Sequence, residues 1–439
     1  MALLNRSCLA ACRKCLAARM SGDSRVSLQL SPWTCSYFDE PVHMEVDGLP
    51  PEQSVEMRSK LTDSKGVSFQ ASATFYSDKN GHIDVDKCPS MGGSYIGIEP
   101  MGLFSSMQPL VPHSRLIKRD VSAPLSVDIE VVCDGQIVAQ ETLERRCMAD
   151  DVQRFPLEDG NIRGSLFVPP GPGPFPAILD IPHLGGGLTE LRASLLAKKG
   201  YVVMALAYHG YQDLPKVLMK LDVEYLEEAV AFLRAHPKVK GPGIGILSIS
   251  KGGDLALTMS ALLPGISATV CINGCNGATA FPIHYKGTVI PPINVDNGKI
   301  IHRKDGLLDV RDAIPDPMLE ENRASVIPIE RASCHFLFVA AEDDRNWNSL
   351  LFSEQAAQRL RDHGKDNYEL VRYPKAGHFL DVPYTPHCPS SFHPAAGTVV
   401  VLGGEPKAHA EAQVDLWERV QQFFRRHLNS GHSKWKAML

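Results

Sequence analysis

Three residue types, far apart along the chain, could together perform nucleophilic acyl chemistry: Ser250, a carboxylate among Glu342, Asp343 and Asp344, and His378. A serine hydroxyl is a poor nucleophile at neutral pH. It needs a base within hydrogen-bond reach, and the base needs a carboxylate to orient it. Ser250 stands in the run Gly243-Ile-Gly-Ile-Leu-Ser-Ile-Ser-Lys-Gly-Gly253, where an apolar strand meets the serine and two glycines follow. A helix-forming segment, 254–263, comes next. This is the strand–turn–helix setting of a nucleophile elbow, whose sharp turn lifts the hydroxyl clear of a sheet. Small neighbours are required because strand and helix backbones nearly touch there. The usual Gly-x-Ser-x-Gly reads here Ser248-Ile249-Ser250-Lys251-Gly252, with serine in place of the first glycine.

The partners follow in a suggestive order. Ala341-Glu-Asp-Asp-Arg-Asn-Trp347 comes after an apolar run ending near Ala340, and Pro374-Lys-Ala-Gly-His378 after one ending near Tyr373. Serine, then acid, then histidine, each just past a strand, is the order of an α/β-hydrolase triad. Glu342, Asp343 and Asp344 all suit the acid role by position. Acyl transfer also needs N–H donors aimed at developing negative charge. The backbone N–H of Lys251 is one candidate. Gly185 and Gly186, in His183-Leu-Gly-Gly-Gly187, are candidates for the second, with His183 itself read as structural. No Gly-Lys-Ser/Thr follows these glycines, so they are not a phosphate loop. The histidines show no metal-ligand spacing, and neither a metal nor a cofactor is expected.

Elements able to position such groups are legible. From about 160, apolar runs (176–181, 202–207, 243–247, 268–272, 335–340, 368–373) alternate with helical segments near 188–199, 222–235, 252–263, 349–363 and 408–428. Continuous apolar strands between helices predict an α/β fold, a mostly parallel sheet with helices on both faces and chemistry at the strands' carboxyl ends. Residues 40–146 instead offer short, partly alternating runs (42–46, 54–61, 67–75, 125–132, 136–143) broken by turn signals such as Asp47-Gly48 and Asn80-Gly81, which predicts a β-sandwich. The expected organisation is a targeting segment over 1–22, an all-β sandwich domain over 30–150, an α/β-hydrolase domain over 155–430 and a tail over 431–439. The long connection 275–333 reads as a lid or substrate-binding loop.

Composition bounds the function. Hydrophobic content of 44% and charged content of 22% suit a soluble protein with a large core. A net charge of −5 with no basic stripe argues against nucleic-acid binding. No apolar run is long enough to span a membrane. The 11 cysteines lack zinc spacing and read as reduced thiols. Arg6, Arg13, Lys14 and Arg19 precede the first acidic residue, Asp23, amid Leu3, Leu4, Leu9 and Leu16. This acid-poor start suggests mitochondrial import to the matrix. The terminal Lys436-Ala-Met-Leu439 is not the Ser-Lys-Leu peroxisomal signal.

From about 38 to 428 the chain resembles the type I acyl-CoA thioesterases and the related bile acid-CoA:amino acid N-acyltransferase. The resemblance is carried by Asp39-Glu-Pro-Val42, Leu116-Ile-Lys-Arg-Asp120, Arg192-Ala-Ser-Leu-Leu196, His236-Pro-Lys-Val-Lys-Gly241, Ile249-Ser-Lys-Gly-Gly253, Asp343-Asp-Arg-Asn-Trp347 and Gly403-Gly-Glu-Pro-Lys-Ala-His409. It implies a β-sandwich followed by an α/β-hydrolase domain, and hydrolysis of fatty acyl-CoA to free acid and CoA. Coenzyme A is then part of substrate and product, and the protein a monomer or weak homo-oligomer. Position by position, the nucleophile falls on Ser250, the acid on Asp344 and the base on His378. The resemblance also brings an alternative acceptor, a glycine or taurine amine in place of water. Two departures touch the site: Ser248 where thioesterases usually have glycine, and His183-Leu184 in place of a more typical aromatic-Gly-Thr lead-in.

Overall fold

The computed structural model describes residues 26–33 and 35–428. The expected targeting segment 1–22 and tail 431–439 lie outside the described residues. Eight strands form the central sheet: β1 (Gln153–Leu157), β2 (Arg163–Val168), β3 (Ala177–Ile181), β4 (Val202–Ala207), β5 (Ile244–Ile249), β6 (Ile266–Ile272), β7 (His335–Ala341) and β8 (Tyr368–Tyr373). Their order is β1-β2-β4-β3-β5-β6-β7-β8. β1 pairs antiparallel with β2, and β2 antiparallel with β4; every other neighbouring pair is parallel. This is the α/β-hydrolase arrangement. The strand order turns back at β3, and such switch points are where parallel sheets place ligands.

Five helices cover the sheet: α1 (Leu191–Lys198), α2 (Val223–Ala235), α3 (Lys251–Leu262), α4 (Ser349–Asp362) and α5 (Pro406–Leu428). β3 is buried along its whole length, as a strand covered on both faces must be. Its Leu179 and Ile181 join Leu226, Leu255 and Leu360 of α2, α3 and α4 in one core. Its Ile178 points the other way, to Leu195 of α1 and Val420 and Phe424 of α5. α5 buries Ala412, Leu416, Val420 and Phe423 at helical spacing.

Two departures from the sequence reading concern this sheet. The strands β1 and β2 precede the first run that apolarity marks. β1 is an edge strand with a proline and only its last residue buried, so it carries little hydrophobic signal. The helix expected from 188 begins at Leu191, because the chain over Leu188–Glu190 finishes the glycine loop.

The N-terminal part pairs two sheets over one core. Strands Ser27–Ser31, His43–Asp47 and Ile83–Asp84 form the first. The second is built on Ser54–Thr62, Ser68–Tyr76, Leu125–Cys133 and Gln136–Arg146. Alternate residues Val55, Met57, Phe69, Phe75, Val127 and Ile129 fill the space between. Arg145 braces the segment 36–40 within this part: its guanidinium is buried and donates to Ser36 Oγ at 2.7 Å, Phe38 O at 2.7 Å and Glu40 O at 2.8 Å. Trp417 of α5 donates to Asp39 Oδ2 at 2.9 Å.

The connection 275–333 folds into short hairpins, with strands Ile283–Tyr285, Thr288–Ile290, Ile301–His302 and Leu308–Asp309. Its end sinks Ile327, Ile329 and Ala332 into the α2–α4 core. Among the described residues, no helix is long and apolar enough to cross a membrane.

Candidate active site

Ser250 sits between β5 and α3 with φ 57° and ψ −128°, a backbone region that side chains with a Cβ adopt only under strain. Its own N–H donates to Ile272 O of β6 at 2.9 Å, which anchors the turn to the neighbouring strand. Close approach accounts for the glycines. A Cβ on Gly252 would lie 2.6 Å from Pro182 O and 2.8 Å from Ile181 O. The start of α3 therefore rests on the end of β3. Ser248, the departure from the usual pattern, faces into the sheet and donates to Val270 O at 2.7 Å. Its hydroxyl is spent on the sheet and does not reach the catalytic edge.

Because β5, β7 and β8 run parallel, the loops that leave them emerge at one edge. There His378 Nε2 lies 2.8 Å from Ser250 Oγ, and His378 Nδ1 lies 2.7 Å from Asp344 Oδ2. A carboxylate only accepts, so Nδ1 carries the proton and Nε2 presents its lone pair to the serine. Ser250, His378 and Asp344 are all buried. Of the three acidic candidates only Asp344 reaches the imidazole. Asp343 pairs instead with Arg345 at 2.8 Å and accepts the Gly404 N–H at 2.9 Å.

The acid is held by residues that sequence reasoning did not single out. Asp344 Oδ1 accepts the N–H groups of Asn346 at 2.8 Å and Trp347 at 3.2 Å, and Oδ2 accepts the Ser349 hydroxyl. Arg311, from the long connection, donates to Glu342 O at 2.9 Å and Asp344 O at 3.0 Å. The base is held likewise: Asn273 donates to His378 O at 2.7 Å, and the Trp347 ring meets the imidazole edge-on at 5.6 Å. The only sequence signal was the polar run after Asp344, which reads equally well as an ordinary helix cap.

Lys251 is buried beside Ser250. Its ammonium donates to Asp254 Oδ2 at 2.8 Å and Thr279 O at 2.6 Å. Asp254 Oδ2 also accepts the Thr279 N–H and hydroxyl, each at 2.9 Å. Burial pushes the lysine down and the aspartate up from their ordinary values, and the mutual attraction opposes both shifts. This pair fastens the first turn of α3, so the Lys251 N–H keeps its direction. That N–H has no acceptor among the described residues.

The glycine loop is more constrained than its sequence suggests. The Gly185 N–H lies 2.8 Å from His183 Nδ1, so this candidate donor is engaged in the tautomer that leaves the Nδ1 lone pair free. The Gly186 N–H has no acceptor among the described residues. Gly186 has φ 68°, and a Cβ there would meet the His209 ring at 2.6 Å. His183 is held far below the usual histidine range, first by burial and then by the Arg115 guanidinium.

One group elsewhere brings three ligand-type atoms within 4.8 Å, His43, Glu45 and Asp84 on the N-terminal sheet. Its bonds are already taken: Lys87 contacts Asp84 at 2.6 Å and Asp86 contacts His43 at 2.8 Å. It reads as an ion-pair network.

The family model described as "Acyl-CoA thioester hydrolase/BAAT N-terminal region" matches residues 39–159, and "BAAT / Acyl-CoA thioester hydrolase C terminal" matches 221–430. "Acyl-coenzyme A thioesterase 2, mitochondrial" of Rattus norvegicus is 46% identical over 92% of this chain and 90% of its own. "Acyl-coenzyme A thioesterase 1" of Homo sapiens is 46% identical over 92% of this chain and 97% of its own. Among solved structures, the acylaminoacyl peptidase of Pyrococcus horikoshii aligns over 91% of this chain and 68% of its own, at TM-score 0.42 and 13% identity.

Proposed function

This chain belongs to the acyl-CoA thioester hydrolase/BAAT family, and from that premise we propose that it hydrolyses acyl-CoA to free acid and CoA through an acyl-enzyme on Ser250. The observation that carries this reading is the continuous hydrogen-bonded path from Ser250 Oγ through the His378 imidazole to Asp344. His378 Nε2 takes the serine proton as Oγ attacks the thioester carbonyl. Asp344 fixes the tautomer and stabilises the imidazolium that forms. The oxyanion is met by the N–H groups of Lys251 and Gly186, neither with an acceptor among the described residues. Gly185 joins them only when its N–H is not bonded to His183 Nδ1. CoA leaves as the thiol, taking the imidazolium proton. His378 then draws a proton from water, which attacks the acyl-serine and releases the acid.

Water is the acceptor favoured here over a glycine or taurine amine. Serine is the nucleophile, and the hydroxyl of Ser248, the departure from the thioesterases' usual glycine, is bonded inside the sheet. The acid-poor first 22 residues support a mitochondrial matrix location, in line with the name of the rat relative. The test is direct. Purified protein releases CoA from a series of acyl-CoA thioesters, yields free acid with or without added glycine, and is labelled by a fluorophosphonate. Ser250→Ala loses turnover and labelling while its circular dichroism is unchanged. Turnover like that of the wild type in Ser250→Ala overturns the proposal.

A further inference from the structure

Arg115 is a cation near the proposed catalytic centre with no ion-paired carboxylate among the described residues. It comes from the N-terminal part, between the strands Gln108–Pro109 and Leu125–Cys133. Its guanidinium carbon lies 4.2 Å from the centre of the Phe379 ring. Phe379 follows the base, and its ring meets the His378 imidazole at 5.0 Å. One aromatic ring therefore contacts both the guanidinium and the imidazole. Among the described residues no carboxylate forms an ion pair with Arg115. The Cys388 thiol and then Asp381 act on it only through space, and Asp381 accepts a hydrogen bond from the Val382 N–H at 2.9 Å. Arg192, also close to His183, is by contrast matched by Asp180. Burial lowers the pKa of Arg115, yet a guanidinium stays charged in proteins.

The partner Arg115 does have is a poor one. Its Nη2 lies 2.7 Å from His183 Nε2, while the Gly185 N–H lies 2.8 Å from His183 Nδ1. Both neighbours are donors, and a neutral imidazole has one lone pair to offer. One of the two contacts is always unsatisfied, so Arg115 is poised to exchange His183 for a better acceptor. Carboxylates and phosphates take two parallel, charge-assisted bonds from a guanidinium.

We infer that Arg115 binds an anionic oxygen group of the substrate, the terminal carboxylate of a dicarboxylic acyl chain or a phosphate of coenzyme A. The inference rests on the thioesterase reading above. The carboxylate suits the position better, because the pantetheine arm holds the phosphates well away from the thioester, whereas Arg115 is one ring from the base. Binding also relieves the contest at His183, leaving its lone pair to Gly185 alone.

The test compares wild type and Arg115→Gln on four thioesters: adipoyl-CoA, hexanoyl-CoA and the two corresponding N-acetylcysteamine thioesters, which lack phosphate. Recognition of the acyl carboxylate lowers the adipoyl-to-hexanoyl ratio of kcat/KM by about 10- to 100-fold in both series. Recognition of a phosphate lowers both CoA substrates by that factor relative to their N-acetylcysteamine counterparts. Arg115→Lys, which keeps the charge without the fork, loses less. An equal change on all four substrates, or none, overturns the inference. Fluorophosphonate labelling of Ser250 checks that the site is intact. If Arg115→Gln is not labelled, the same ratios in Arg115→Lys decide, a several-fold shift supporting the inference and unchanged ratios overturning it. A wild-type protein that cleaves none of the four refutes the thioesterase reading instead.

Discussion

Replacing Asp344 by asparagine should invert the tautomer of the base without moving it. The carboxylate's two oxygens are not equivalent. Oδ1 accepts two backbone N–H groups, from Asn346 and Trp347. Oδ2 faces His378 Nδ1 and the Ser349 hydroxyl. In Asp344→Asn the amide oxygen must take the Oδ1 place, because an NH2 there would confront two donors. The NH2 then points at His378 Nδ1, which can answer only with its lone pair. The proton moves to Nε2, where it faces Ser250 and blocks proton abstraction. The expected loss is about 10⁴-fold in kcat, or about 5 kcal/mol in the barrier, with little change in KM. Initial rates of thiol release measure it, and thermal unfolding within a few degrees of wild type shows that the fold persists. Asp343→Asn is the control, since its side chain bonds Arg345 and Gly404 and not the imidazole. An Asp344→Asn enzyme within tenfold of wild type, or an Asp343→Asn enzyme equally impaired, would refute the argument.

Two further predictions concern stability. Ser250 stores backbone strain at φ 57°, which glycine relieves and alanine keeps. Ser250→Gly should be the more stable of the two inactive variants by about 1 kcal/mol in urea unfolding, and equal midpoints would count against the strain. His409 is buried, accepts the Gly377 N–H at Nδ1 and donates from Nε2 to Phe379 O. Burial pushes it down to about 3, so the unfolded chain binds this proton first as pH falls. Its contribution is fully present above about pH 6.5 and is lost toward pH 3, at up to about 1.4 kcal/mol per pH unit. His409→Gln should flatten the fall in stability between pH 6 and 4. Parallel slopes for variant and wild type would show that His409 is not the group responsible.

Most strands of the central sheet were legible because parallel strands covered on both faces are continuously apolar. The β4 and β8 bounds agree with the runs 202–207 and 368–373. The β1–β2 hairpin was not legible, because an exposed edge strand has no such pattern. The elbow was legible because the turn demands small residues next to the serine, whatever surrounds it. The settings of Asp344, His183 and Arg115 were not, since each depends on groups distant in the chain.

The sequence by itself determined the kinds of element, their order and the residue types that acyl chemistry requires, because periodicity and turn chemistry are local. By position it left Glu342, Asp343 and Asp344 as equals, and the family resemblance alone pointed to Asp344. Only the tertiary structure decided that Asp344 meets His378, that Gly185 and Arg115 compete for His183, and that Arg115 packs on Phe379 with no ion-paired carboxylate among the described residues. The reason is physical: a hydrogen bond is set to a few tenths of an ångström by where parallel strands end and how helices cover them. No local pattern in the chain encodes that distance.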